Sequence, residues 1–239
     1  NTVTIFSHSV EVTKNNGIAH NNLGMKLMEM GDSDAAMAHF QAAIKGSPRN
    51  SYPHLNLGNA YKSKGDFSQA IVHYEKALSL NPKYANASYA LANVYLQTNR
   101  LELSEKYFLK TLDINRRHYM AHLNLGATYS RMGKSEAAIA RYEESLKIRP
   151  EQHLAHYALG LEYLKLENLG QAEIHFRRTL EFKPDYERAF YQLGGIRMRQ
   201  RRFDEAIGFV TRALELNSSY KEAIQLLELA QRSIRNEAR

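Results

Sequence analysis

One spacing organises this chain: leucine followed by a small residue recurs every 34 residues. The pairs are Leu23-Gly24, Leu57-Gly58, Leu91-Ala92, Leu125-Gly126, Leu159-Gly160 and Leu193-Gly194. Other columns hold the same register. Three positions after the small residue stand Leu27, Tyr61, Tyr95, Tyr129, Tyr163 and Arg197. Twelve after it come Ala36, Ala70, Ser104, Ala138, Ala172 and Ala206. Sixteen after it come Phe40, Tyr74, Phe108, Tyr142, Phe176 and Val210, and nineteen after it Ala43, Ala77, Thr111, Ser145, Thr179 and Ala213. Proline closes four units at Pro48, Pro82, Pro150 and Pro184; Arg116 and Ser218 fill the other two places. A unit this short cannot bury an apolar face alone, so its neighbours must stack on it.

The register divides the chain into six units, 17–50, 51–84, 85–118, 119–152, 153–186 and 187–220. Each reads as two helices. Leu55, Leu57, Gly58 and Tyr61 share one face of the first. In the turn Lys64-Gly65-Asp66, glycine supplies a left-handed cap and aspartate starts the next helix. That second helix is expected over 68–80, ending at Asn81-Pro82 because proline cannot continue it. Residues 1–16 align with the second helix of a preceding unit, with Phe6 in the aromatic column and Ser9, Val10 and Val12 behind it. Residues 221–239 carry Ala223, Ile224, Leu226, Leu227 and Ala230 on one side and read as a capping helix.

These columns resemble the tetratricopeptide repeat. The resemblance implies an all-α, right-handed superhelical α-solenoid of helix–turn–helix repeats, with a concave face formed mainly by the first helices. It implies protein–protein recognition, an extended partner segment lying in that groove. The opening is also similar to a known junction, through Thr4-Ile5-Phe6-Ser7-His8, Val10 to Asn16 and Ala19 to Gly24. There, multi-pass membrane glycosyltransferase-like proteins of mannosyltransferase type pass into a C-terminal tetratricopeptide domain. On that likeness the chain is an acceptor-recognition domain on the non-cytoplasmic side, with catalysis elsewhere; without it, a cytoplasmic scaffold is expected. The start at Asn1 reads as that of a processed or excised piece.

Composition narrows the chemistry. The chain has 239 residues and no cysteine, which excludes disulfides and thiolate ligands or nucleophiles. It has no apolar run of about 20 residues, so no membrane insertion is expected. Nucleophile-elbow, P-loop, dinucleotide-fingerprint and zincin motifs are absent, so no enzyme and no cofactor are expected. His20, His54, His122 and His156 occupy one repeat position. Single histidines spaced by helix packing do not converge on a metal, and His153 with His156 lacks a third ligand.

The remaining candidates lie on first helices. Asn22, Asn56 and Asn124 precede the leucine of the pair, Gln192 resumes the column, and Ala90 and Ala158 interrupt it. Such amides can bond a peptide main chain from either side, similar to the asparagine ladder of the O-linked N-acetylglucosamine transferase family. Asn59 and Asn93 widen the polar floor. Tyr52, Tyr89, Tyr157 and Tyr191 point toward the same side, where binding and packing both remain open. A carboxylate clamp of the chaperone-binding type is rejected, because Leu55 and Tyr89 stand where lysine is required and Ala90 where arginine is. Arg188, Arg197, Arg199, Arg201 and Arg202 form a candidate patch for an anionic partner. Net charge is +7, yet the other basic residues interleave with acids, so nucleic acid is not the expected partner. Self-association is expected through the half repeat, where Ile5 and Phe6 lie on an uncovered edge.

Overall fold

The computed structural model describes residues 16–237, which hold thirteen helices and no strand. The helices are α1 (Gly17–Glu29), α2 (Ser33–Gly46), α3 (Ser51–Ser63), α4 (Phe67–Leu80), α5 (Ala85–Gln97), α6 (Leu101–Ile114), α7 (Tyr119–Arg131), α8 (Ser135–Ile148), α9 (His153–Lys165), α10 (Leu169–Phe182), α11 (Glu187–Arg199), α12 (Phe203–Leu216) and α13 (Lys221–Glu237). The chain divides into two compact units, 1–128 and 129–239, with the division inside α7. Residues 1–15, which carry most of the expected half repeat together with Ile5 and Phe6, lie outside the described residues.

Within each unit the helices form hairpins closed by one device. Gly31, Gly65 and Gly133 turn the chain at φ of 86°, 80° and 75°. Asn99, Glu167 and Arg201 take the same left-handed conformation at 58°, 57° and 60° in their repeats, without glycine's freedom. Asp32, Asp66 and Asn168 then cap the second helices by accepting from the N–H groups of Ala35, Gln69 and Gln171. Asp66 as N-cap starts α4 at Phe67, one residue ahead of the sequence expectation.

In the glycine column an aromatic ring occupies the space a methyl would need at Gly24, Gly58 and Gly160. A Cβ on Gly58 would stand 2.6 Å from Cε1 of Tyr74, and one on Gly160 would stand 2.5 Å from Cε1 of Phe176. In the first unit Ala36, Phe40, Leu57 and Ala60 make one cluster; Leu55, Ala70, Tyr74, Ala77 and Leu91 belong to another. In the second unit Ala172, Phe176, Ala189, Leu193 and Ile196 pack together, and Val210, Ala213 and Ala223 follow. Helix α13 lies against α12 with Ala223 and Ala230 fully buried. Glu228 stands 34 residues after Gly194 and is exposed, with no second helix over it among the described residues.

Candidate peptide-binding face

In the first unit the amides on first helices are bonded to one another. Asn56 on α3 donates Nδ2 to Oδ1 of Asn21 on α1, at 2.8 Å. Asn124 on α7 donates to Oδ1 of Asn93 at 2.7 Å and to the hydroxyl of Tyr89 at 3.0 Å, both on α5. Asn93 in turn donates to the Tyr89 carbonyl at 2.9 Å. Asn59 accepts from the buried Tyr74 hydroxyl at 2.7 Å. Asn22, Asn56, Asn59, Asn93 and Asn124 are all partly buried, so these side chains are less solvated than the sequence suggests.

The amide of one repeat bonds the side chain 35 residues earlier. Asn21, Tyr89 and Tyr157 precede Asn56, Asn124 and Gln192 by that distance, whereas Leu55 and Leu123 precede Ala90 and Ala158. The interruptions of the amide row are therefore matched positions: where the earlier side chain has no polar group, the later one is alanine. In the second unit Gln192 hydrogen-bonds the Tyr157 hydroxyl, which burial raises above its ordinary pKa.

The tyrosines divide by environment. Tyr52 is 58% exposed and meets Tyr84 edge-on at 5.1 Å. Tyr89 is half-buried against His118 and Phe108, and Tyr157 against Tyr186 and Phe176. Tyr191 packs on Tyr220 at 5.1 Å, and burial pushes the Tyr220 hydroxyl up to about 12. Only Tyr52 among the four offers a largely free ring; the other three are braced for contact along one edge.

The arginine cluster is not one patch. Arg197 is 5% exposed and fully engaged: its Nη groups grip Glu173 at 2.6 and 2.8 Å, and Nε donates to Glu205 at 2.9 Å. The arginine hydrogen bonds hold Glu173 down at about 2. Arg201 pairs with Glu237, and Arg202 with Glu205. Arg188 and Arg199 are exposed on α11, Arg188 near Tyr157 and Tyr186.

The histidine column also changes meaning. Three of the four are not single rings, because a second column 19 residues later supplies partners. Nδ1 to Nδ1 distances are 2.9 Å for His20–His39, 3.2 Å for His54–His73 and 3.1 Å for His156–His175. One ring of each pair must donate and the other accept, so the two rings of a pair cannot both be protonated on both nitrogens. Burial, then the facing ring, depresses His54 and His175 to about 4. His122 bonds the Arg116 carbonyl through Nε2, and its buried Nδ1 has no partner. His153 lies on Tyr186 and His156 on His175 and Phe182, so the two do not converge. Among the described residues no three His, Asp or Glu side chains are placed to hold a metal ion.

Stacked helix hairpins closed by left-handed turns and glycine–aromatic contacts define an all-α helical repeat protein of the solenoid class. The chain belongs to the tetratricopeptide repeat family. Family models described as TPR repeat match residues 24–65 and 58–99, and models described as Tetratricopeptide repeat match 83–151, 123–187 and 157–220. Solved structures show the same fold. YrrB, described as a TPR protein with an unusual peptide-binding site, is 21% identical, with 78% of this chain and 96% of that one covered at a TM-score of 0.66. MamA is 26% identical, covering 68% of this chain and 95% of its own at 0.64. PilF of Pseudomonas aeruginosa is 16% identical, covering 87% and 95% at 0.78. No curated protein matches the chain.

Proposed function

We propose that this chain is a protein–protein interaction scaffold that holds an extended partner segment along its first helices. Repeats of this family generally act as non-catalytic scaffolds. The observation that carries the reading is the set of inter-repeat amide bonds, Asn56 to Asn21 and Asn124 to Asn93 and Tyr89. These bonds fix amide groups at repeat spacing and leave part of each group's capacity unused. Asn56 uses one N–H on Asn21, and an amide carries two donors and a carbonyl oxygen. Packed helices lie about 8–10 Å apart and an extended chain advances about 3.3–3.6 Å per residue, so adjacent amides such as Asn22 and Asn56 meet it every second or third peptide unit, and Ala90 doubles the interval before Asn124. The binding described for YrrB is consistent with such use of the fold.

The test is replacement of Asn22, Asn56 and Asn124 together by alanine, read on peptides selected from a random library. Each amide contributes about 0.5–1.5 kcal/mol net. Their sum, about 1.5–4.5 kcal/mol, weakens binding by about ten- to a thousandfold for ligands of unrelated sequence. Circular dichroism is an essential control, since Asn56 and Asn124 also tie repeats in the free protein. A folded triple variant that binds at wild-type strength overturns the reading.

A second reading, acceptor recognition for a membrane glycosyltransferase, rests on the residues from Thr4 to Gly24. No helix among the described residues is long and apolar enough to cross a membrane. The coding region upstream of Asn1 decides between the two.

A further inference from the structure

The column that holds Ala60, Val94, Thr128 and Ile196, each at most 1% exposed, holds Glu162 in the fifth repeat. Its carboxylate is 2% exposed. Oε1 accepts from Ser130 Oγ at 2.5 Å and from Lys165 Nζ at 2.7 Å, while Oε2 is buried with no hydrogen-bond partner. A buried carboxylate oxygen without a donor is costly, and the fold does not need it, since alanine, valine, threonine or isoleucine serves in four other repeats and a partly exposed Lys26 in the first. Directly over it lies a cavity of about 330 Å³ among α7, α9 and α11. Ala158, Leu161 and Leu164 form its apolar side; Lys165 and Arg199 form its basic side.

The charges are graded. Lys165 already donates to Glu162 and to Ser130 Oγ, leaving one of its three protons. Arg199 holds no carboxylate among the described residues. Glu167 stands at the rim of the adjoining depression that Lys165 and Arg199 share. The lining therefore has room for one added negative charge, and Glu167 opposes a second. The volume is at the small end of ligand sites, about 300–1,000 Å³, which suits a side chain better than a cofactor.

We propose that this cavity receives the carboxylate of an acidic residue in an extended partner peptide. Lys165 and Arg199 hold the carboxylate, the leucines take its methylene stem and an apolar neighbour, and Glu162 keeps Lys165 aimed over the site. Its unpaired Oε2 is the acceptor that a peptide N–H arriving with the acid satisfies. The inference deepens the scaffold reading and depends on it.

The experiment screens the full chain against a bead library of random hexapeptides, blocked at both ends so that only side chains carry charge. Bound sequences are expected to be enriched in Glu or Asp beside an apolar residue. Arg199→Met should bind glutamate-bearing members about ten-fold more weakly and their glutamine counterparts unchanged. Arg199→Glu should remove the acidic preference altogether. Lys165→Met is paired with Glu162→Gln, so that no buried charge is left alone, and should act like Arg199→Met. Selection of peptides without acidic enrichment, or an enrichment that persists in Arg199→Met, overturns this site and leaves the scaffold reading intact. A library that yields no binder overturns both.

Discussion

Replacing Gly160 with alanine sets two effects of opposite sign against each other. Alanine is favoured over glycine inside a helix by about 1 kcal/mol. However, the new methyl would lie 2.5, 2.8 and 2.8 Å from Cε1, Cδ1 and Cζ of Phe176, a ring with no exposed surface. Carbon atoms rest about 3.5–4.0 Å apart, so α9 and α10 must separate by a good part of an ångström or the ring must leave its rotamer. Overpacking of this kind costs about 1–3 kcal/mol. Gly195 supplies the control. It sits in the interior of α11, where an added Cβ meets nothing within 4 Å. The propensity gain is common to both substitutions and cancels in their difference. Gly195→Ala should therefore stabilise by about 1 kcal/mol. Gly160→Ala should fall below it by about 1–3 kcal/mol, ending near neutral to about 2 kcal/mol destabilised. Urea unfolding followed by circular dichroism reads both, with the slope checked because repeat arrays can lose two-state behaviour. Ala92, at the same column opposite Phe108, shows that a repeat can be built around the methyl, so the cost arises from packing already set around glycine. Equal stabilisation by the two substitutions would refute the reasoning.

Arg197→Ala removes the buried guanidinium that joins Glu173 to Glu205, which keep Arg177 and Arg202, and should destabilise by about 1.5–3 kcal/mol in urea unfolding at pH 7; a loss below about 0.5 kcal/mol would place the cluster with ordinary surface pairs. Glu173, held at about 2, favours the fold fully above its ordinary range near 4.5, and that contribution fades as pH falls toward 2. The paired histidines act at higher pH. His54, facing His73 and Lys76, and His175, facing His156 and Arg178, sit at about 4 against an ordinary 6.5, so the unfolded chain takes up more protons. Stability should be complete above pH 6.5 and decline from there toward pH 4, with His73→Phe and His175→Phe flattening the slope between pH 6.5 and 5; an unfolding midpoint constant over that interval contradicts the pairing. Deleting residues 221–239 uncovers Val210 and Ala213 and should cause aggregation or a broadened transition, whereas a monomer with unchanged melting would remove α13 as a cap.

The 34-residue register by itself determined the helix hairpins, their turns and the residues that meet inside them. Local and nearest-neighbour contacts repeat at fixed offsets, so periodicity is sufficient to read them. Gly65 in a left-handed turn, Asp66 as an N-cap and the buried Tyr74 all follow from columns visible in the sequence. The offsets of 35 and 19 residues, which pair Asn56 with Asn21 and His54 with His73, were present in the same register. No single column shows them; they emerge only when one column is set against its neighbour. What only the tertiary structure decided are the departures from the pattern. Arg197 occupies an aromatic column, and the sequence shows it as a surface charge; burial becomes evident only once Glu173 from α10 closes on it. Glu162 likewise reads as one more helix acid, although Ala60, Val94, Thr128 and Ile196 in its column carry no charge. The physical reason is the same for both. A charge is tolerated in a core position only when partners from other helices converge on it, and that convergence depends on how side chains meet in three dimensions.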